Sequence, residues 1–207
     1  EVVIPEGVTT IGAFAFTDCS GATSVSLPST LTGLGYCAFS GCTALTDLNL
    51  TDPAQNAEVY RGTVDTSGWG SSAFHNCDAL TGVTLPGAWN AVPAGMFYEC
   101  ENLTDVTISD GVQSVGSRAF SGCTALAGIH LPETITQIGE SAFQGCTGLS
   151  SLRLPSGVTV LATSAFQGCT SLKTIGFPSG LTQIGESTFS GCSGLSSVEL
   201  PSGLQSL

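Results

Sequence analysis

The residues best equipped for chemistry in this chain are its nine cysteines. Eight of them, Cys19, Cys42, Cys77, Cys100, Cys123, Cys146, Cys169 and Cys192, stand 23 residues apart at every step but one. Cysteines can pair as disulfides, hold zinc or act as nucleophiles. A disulfide needs two Cβ atoms turned toward each other at about 3.8 Å. Side chains at one position of a stacked repeat instead point the same way, side by side. A structural zinc site draws on closely spaced Cys or His pairs, and the chain has no Cys-x-x-Cys. The eight therefore read as small buried hydrophobes, a common role for free Cys. The ninth, Cys37, stands two residues before Phe39, off the ladder, and is expected to be partly exposed.

Other catalytic sets are missing from the sequence. His75 and His130 are its only histidines, and both are expected to face solvent. There is no Gly-x-Ser-x-Gly, no phosphate-binding glycine loop and no His-Glu-x-x-His. Asp52, Glu58 and Asp65 gather acidic groups in one stretch, but not at the spacing of an EF-hand. The expectation is a protein that is not an enzyme, with no cofactor and no metal.

The cysteine period belongs to a unit that fills the whole chain. Phe stands three residues before the Cys in all eight copies, from Phe16 to Phe189. Leu stands three after it in seven copies, with Ala22 the departure. Apolar residues recur six and eight after it, as at Leu152 and Leu154. A gap of two puts both side chains on one face of a strand. Pro follows at Pro132, Pro155, Pro178 and elsewhere, and its missing amide ends the strand. A second apolar pair, such as Ile135 and Ile138, predicts a second short strand over Thr136-Gln-Ile138. Glu140-Ser-Ala-Phe-Gln-Gly-Cys146 then reads as one helical turn, capped by Ser or Glu and ended by Gly.

A fixed period in the twenties specifies a solenoid, because one unit cannot bury its apolar face alone. The expected fold is a right-handed leucine-rich-repeat-like array. Each 23-residue coil carries two short parallel strands plus a helical turn. Residues 1–207 form one such array of about eight coils. Cys42 and Cys77 are 35 apart, one repeat plus 12 residues, which marks an insertion near 51–67. The array starts and stops within a repeat, so a segment of a longer protein is expected, with apolar ends that favour end-to-end self-association.

Charge narrows the partners. The net charge is −12, and Arg61, Arg118, Arg153 and Lys173 are the only basic side chains besides histidine. Such a surface repels phosphate backbones and anionic membranes. No run of 18 apolar residues is present for membrane insertion. At 42% hydrophobic residues, periodically placed, the chain is not of disordered type.

Leu-x-x-Ile-x-Leu-Pro followed by Ile-Gly-x-x-Ala-Phe-x-x-Cys resembles the BspA-like leucine-rich repeats of bacterial and protozoan surface proteins. The better-known leucine-rich consensus places Asn or Cys three residues after the strand's last Leu, where this chain has Gly157 or Thr134. The resemblance implies a horseshoe-like array, an extracellular or cell-surface location, and adhesion through binding of a host or cell-surface protein. Carbohydrate binding, with Trp69, Trp89 and Tyr60 as stacking surfaces, and a passive spacer are the alternatives. Both tryptophans also suit the core. The sheet face of the first strands is the expected recognition surface. Its outward residues include Asp47, Asn49, Thr84, Asp105, Thr107, His130, Ser151, Arg153, Thr174 and Glu199, with Tyr60 and Arg61 of the insertion at its rim.

Overall fold

The computed structural model describes residues 1–50 and 71–207, and over them the chain is a parallel β-solenoid of about seven turns. The insertion near 51–67, with Tyr60, Arg61, Asp52, Glu58 and Asp65, and also Trp69, lies outside the described residues.

Each coil contributes a first strand, a second strand and a run of tight turns. The first strands are β1 (Val2–Val3), β3 (Ser24–Ser26), β5 (Asp47–Asn49), β6 (Gly82–Leu85), β8 (Asp105–Ile108), β11 (Ser151–Arg153) and β13 (Thr174–Gly176). The second strands are β2 (Thr10–Ile11), β4 (Gly33–Leu34), β7 (Ala91–Val92), β9 (Ser114–Val115), β10 (Gln137–Ile138), β12 (Val160–Leu161) and β14 (Gln183–Ile184). All pairings are parallel and in the register of the repeat, as in Leu152 with Ile175 and Val160 with Gln183. The first strands form the ladders β1-β3-β5, β6-β8 and β11-β13, and a single bridge joins Thr107 to His130.

The expected helical turn is absent. In its place the chain takes a left-handed conformation twice per coil, five residues and one residue before the Cys. Ser141 (φ 54°) and Gly145 (φ 71°) show it in one coil, Arg118 (φ 57°) and Gly122 (φ 79°) in the coil before. An α-helix cannot pass through such residues. The amides alternate between two destinations. Those of Ser141, Phe143 and Gly145 donate to Thr163, Ala165 and Gln167 of the next coil. Those of Ala142, Gln144 and Cys146 donate back to Gly139, Ser141 and Phe143 of their own coil. The turn run is thus a third inter-coil ladder, and all six amides are satisfied without a helix.

The core follows the repeat rows. Phe39, Phe74, Phe97, Phe120, Phe143 and Phe166 are wholly buried and stack ring on ring, as at 5.5 Å for Phe143 on Phe166. The cysteines carry free thiols. From Cys42 onward each ladder thiol donates to the carbonyl of the Phe one coil back, at 3.1 to 3.5 Å. That carbonyl also accepts the amide of its own coil's Cys, as Phe143 does from Cys146. A methyl group would fill much of the same space but leave this donor out. Cys37, expected to be partly exposed, is buried at 7%. The next coil covers it, its Ser71 carbonyl accepting the Cys37 amide. Trp89 is also buried, so it offers no stacking surface.

Candidate interaction face

The outward positions of the first strands form one exposed face. In β5, β8 and β11 exposed and buried residues alternate, because successive side chains leave a strand on opposite sides. Asp47, Asn49, Thr84, Asp105, Thr107, His130, Ser151, Arg153 and Thr174 all lie exposed on it. His130 reaches it through a single bridge rather than a full strand. Glu199 is exposed too, but in a segment with no strand pairing.

The face is interrupted where the repeat is. β5 and β6 belong to separate ladders, and among the described residues no backbone hydrogen bond joins them. On the turn side the same two coils stay bonded, Phe39 amide to Ala73 carbonyl at 2.8 Å. Among the described residues the strand ladder is thus interrupted on one side only, and a groove of about 510 Å³ lies there. Asp47, Asn49, Thr84, Asp105 and Thr107 line it. Among the described residues two carboxylates and no basic group border it, so it suits a basic or neutral partner segment. The Thr104 hydroxyl donates to Asp105 at 3.0 Å and steadies that carboxylate.

Farther along, Arg153 is not free on the face. Its Nη1 donates to Glu133 at 2.7 Å, while the other Glu133 oxygen accepts the Ser156 amide at 2.9 Å. The Ser156 amide, then Arg153, hold the Glu133 carboxyl down to about 2. The contact is complete above the ordinary carboxylate range and is lost as pH falls toward about 2. A carbon-detected NMR titration should show Glu133 protonating well below the other glutamates. A midpoint in the ordinary range would mean that the contact does not form in solution.

Sequence reasoning missed a second constellation, on the turn run. His75, expected to face solvent, is half-buried; its Nε2 lies 3.3 Å from Glu99 and its Nδ1 3.4 Å from the Ser40 hydroxyl. Its ring stacks on Tyr98 at 4.9 Å. Tyr98, then His75, lower the Glu99 carboxyl. Tyr36, 49% exposed, meets the Phe14 ring edge to face at 5.4 Å. The legible signal was that these coils depart from the Ser-Ala-Phe-Gln-Gly-Cys run of coils ending at Cys146 and Cys169. No cluster of three or more metal-ligating side chains occurs among the described residues.

A family model described as BspA type leucine rich repeat region matches six copies, over residues 1–61, 63–146 and 90–207. Among solved structures, the chain is similar to the T. pallidum leucine rich repeat protein, at 30% identity and a TM-score of 0.59, over 94% of this chain and 77% of that one. It is also similar to a leucine-rich repeat protein from Bacteroides ovatus (30% identity, TM-score 0.53), covering 98% of this chain and 61% of that one. A third is a leucine rich cell surface protein from Faecalibacterium prausnitzii (26% identity, TM-score 0.51), covering 100% of this chain and 77% of that one. Among curated proteins the chain has no match.

Proposed function

Since the chain belongs to the BspA-type leucine-rich repeat family, we propose that it is a non-catalytic interaction module of a cell surface, holding a protein partner on the face of its first strands. The observation that carries this reading is the contrast between rows. The buried rows keep Phe, Cys and Leu from coil to coil, while the outward column reads Asn49, Thr84, Thr107, His130 and Arg153. A rigid frame with changing outward side chains is how repeat arrays present extended binding surfaces. The groove of about 510 Å³ beside β5 gives that face a concave place for a partner's side chains. That a similar protein is described as a leucine rich cell surface protein supports the extracellular placement.

The proposed partner is a host extracellular or cell-surface protein, with a basic or neutral segment over Asp47 and Asp105. Solid-phase binding of the chain to intact host cells and to immobilised extracellular-matrix proteins tests this. Saturable binding is expected, weakened at least about tenfold by Asp47→Lys with Asp105→Lys, since reversing charges that meet a partner costs more than about 1.4 kcal/mol. Both residues are exposed, so the melting temperature should hold. Undiminished binding by the double variant would place the partner elsewhere.

A further inference from the structure

We infer that the turn run carries a second, separate binding site, a trough that takes a neutral oligosaccharide between the Tyr36 ring and the paired rings of His75 and Tyr98. The trough encloses about 380 Å³ across successive coils, within the range of small-ligand sites. Tyr36, His75 and Tyr98 give it aromatic walls, and Ser72, Arg118 and Glu140 give it polar ones.

The rings are set in advance. Glu99 stands one residue before Cys100 with φ 56°, a left-handed place that Asp18 and Asn76 also hold and that Gly41, Gly122, Gly145, Gly168 and Gly191 hold in other coils. The conformation belongs to the turn path of every coil; what is particular to this place is the long carboxylate side chain. The Glu99 carboxylate lies 3.3 Å from His75 Nε2 and so fixes the ring that stacks on Tyr98. Phe14 braces Tyr36 from the other side. The floor is kept open by Gly95, at a place where other coils have Phe14, Arg118 or Ser141. A Cβ there would lie 2.6 Å from the Ser72 hydroxyl, which would have to shift from its place in the trough.

The ligand class follows from what lines the trough and what does not. Aromatic faces accept the C–H faces of pyranose rings, because the ring's negative face attracts partly positive hydrogens. Planar Arg118 and Glu140 and the Ser72 hydroxyl suit vicinal hydroxyls, which donate and accept in pairs. Among the described residues the aliphatic lining is limited to Ala94, too little for a proline-rich peptide or a lipid chain. Glu99 and Glu140 outweigh Arg118 on a chain of net charge −12, which disfavours anionic sugars.

The test is isothermal calorimetry and saturation-transfer NMR of the whole chain with neutral cello-, malto-, chito-, xylo- and manno-oligosaccharides. At least one is expected to bind with a dissociation constant of about 1 mM or tighter. Tyr98→Ala and Tyr36→Ala should each weaken it at least about tenfold, the loss of one stacked ring face. Tyr36 and Tyr98 are not fully buried, and an unchanged melting temperature shows that the variants fold. Asp47→Lys with Asp105→Lys should leave sugar binding intact, which separates this site from the first-strand face. No binding by any of the sugars overturns the inference. So does binding unaffected by both tyrosine variants, or binding of a proline-rich peptide in their place.

Discussion

Replacing Phe143 with Ala is expected to destabilise the solenoid by about 3–5 kcal/mol, the usual loss for a wholly buried Phe whose cavity cannot collapse. The ring has no exposed surface and is sandwiched, 5.5 Å from Phe120 on one side and 5.5 Å from Phe166 on the other. Neither neighbour can move into the gap without leaving its own stack, so relaxation should recover little. The second effect is on cooperativity. A solenoid has only nearest-neighbour contacts between coils, so weakening one central interface should broaden the urea transition as well as shift it. Phe16, half-buried and among the described residues stacked only on Phe39, should lose less when truncated. A loss below about 1 kcal/mol for Phe143→Ala would mean that the ring stack is not what binds the coils.

The second large effect is on thiol reactivity. Burial pushes the Cys100 and Cys169 thiols up to about 12 and the Cys42 thiol to about 11. The thiolate is the species that alkylating agents attack. At pH 8 Cys100 and Cys169 should therefore hold about a thousandfold less thiolate than an ordinary thiol. Geometry adds to this, since each thiol hydrogen already serves a Phe carbonyl in the coil before. Iodoacetamide labelling of the native chain, read by mass spectrometry, should leave both unmodified while the unfolded chain labels fully. Half-buried Cys19 should label first. Stability should respond to alkali in a definite direction. These pKa values are raised on folding, so the stabilisation is complete below about 9 and drains away as pH climbs toward about 12. Each thiol that ionises only in the unfolded chain contributes a slope of up to about 1.4 kcal/mol per pH unit. Rapid native labelling of Cys100, or a melting temperature flat from pH 8 to about 11, would contradict the buried ladder.

Most of the fold was legible because a solenoid gives every copy of a position the same surroundings. The row three before the Cys is buried in every coil that has a neighbour on each side, so eight Phe residues in register declare the core, with Phe16 and Phe189 at its ends only partly buried. The strand pair at Leu152 and Leu154, and the outward Ser151 and Arg153 between and beside them, follow from strand alternation alone. The turn run was misread for a physical reason. Glu-Ser-Ala-Phe-Gln-Gly-Cys has the composition of a helical turn with a glycine stop, but composition does not say where amides go. In the structure alternate amides leave for the next coil, and that choice forces left-handed backbone at Ser141 and Gly145. The glycine was visible in the sequence; the left-handed serine was not.

The sequence by itself thus determined the period, the coil register, the buried rows and the outward column of the first strands, and it carried the family resemblance. These are properties of one coil repeated, and local spacing encodes them. Tertiary structure alone decided what happens between unlike coils. It set Glu99 against His75 and Tyr98, placed Tyr36 across the trough from them, tied Arg153 to Glu133, and opened the sheet between β5 and β6. Those contacts join side chains at different positions of different coils. Their meeting depends on the backbone path through left-handed residues and on side-chain reach, which no period records.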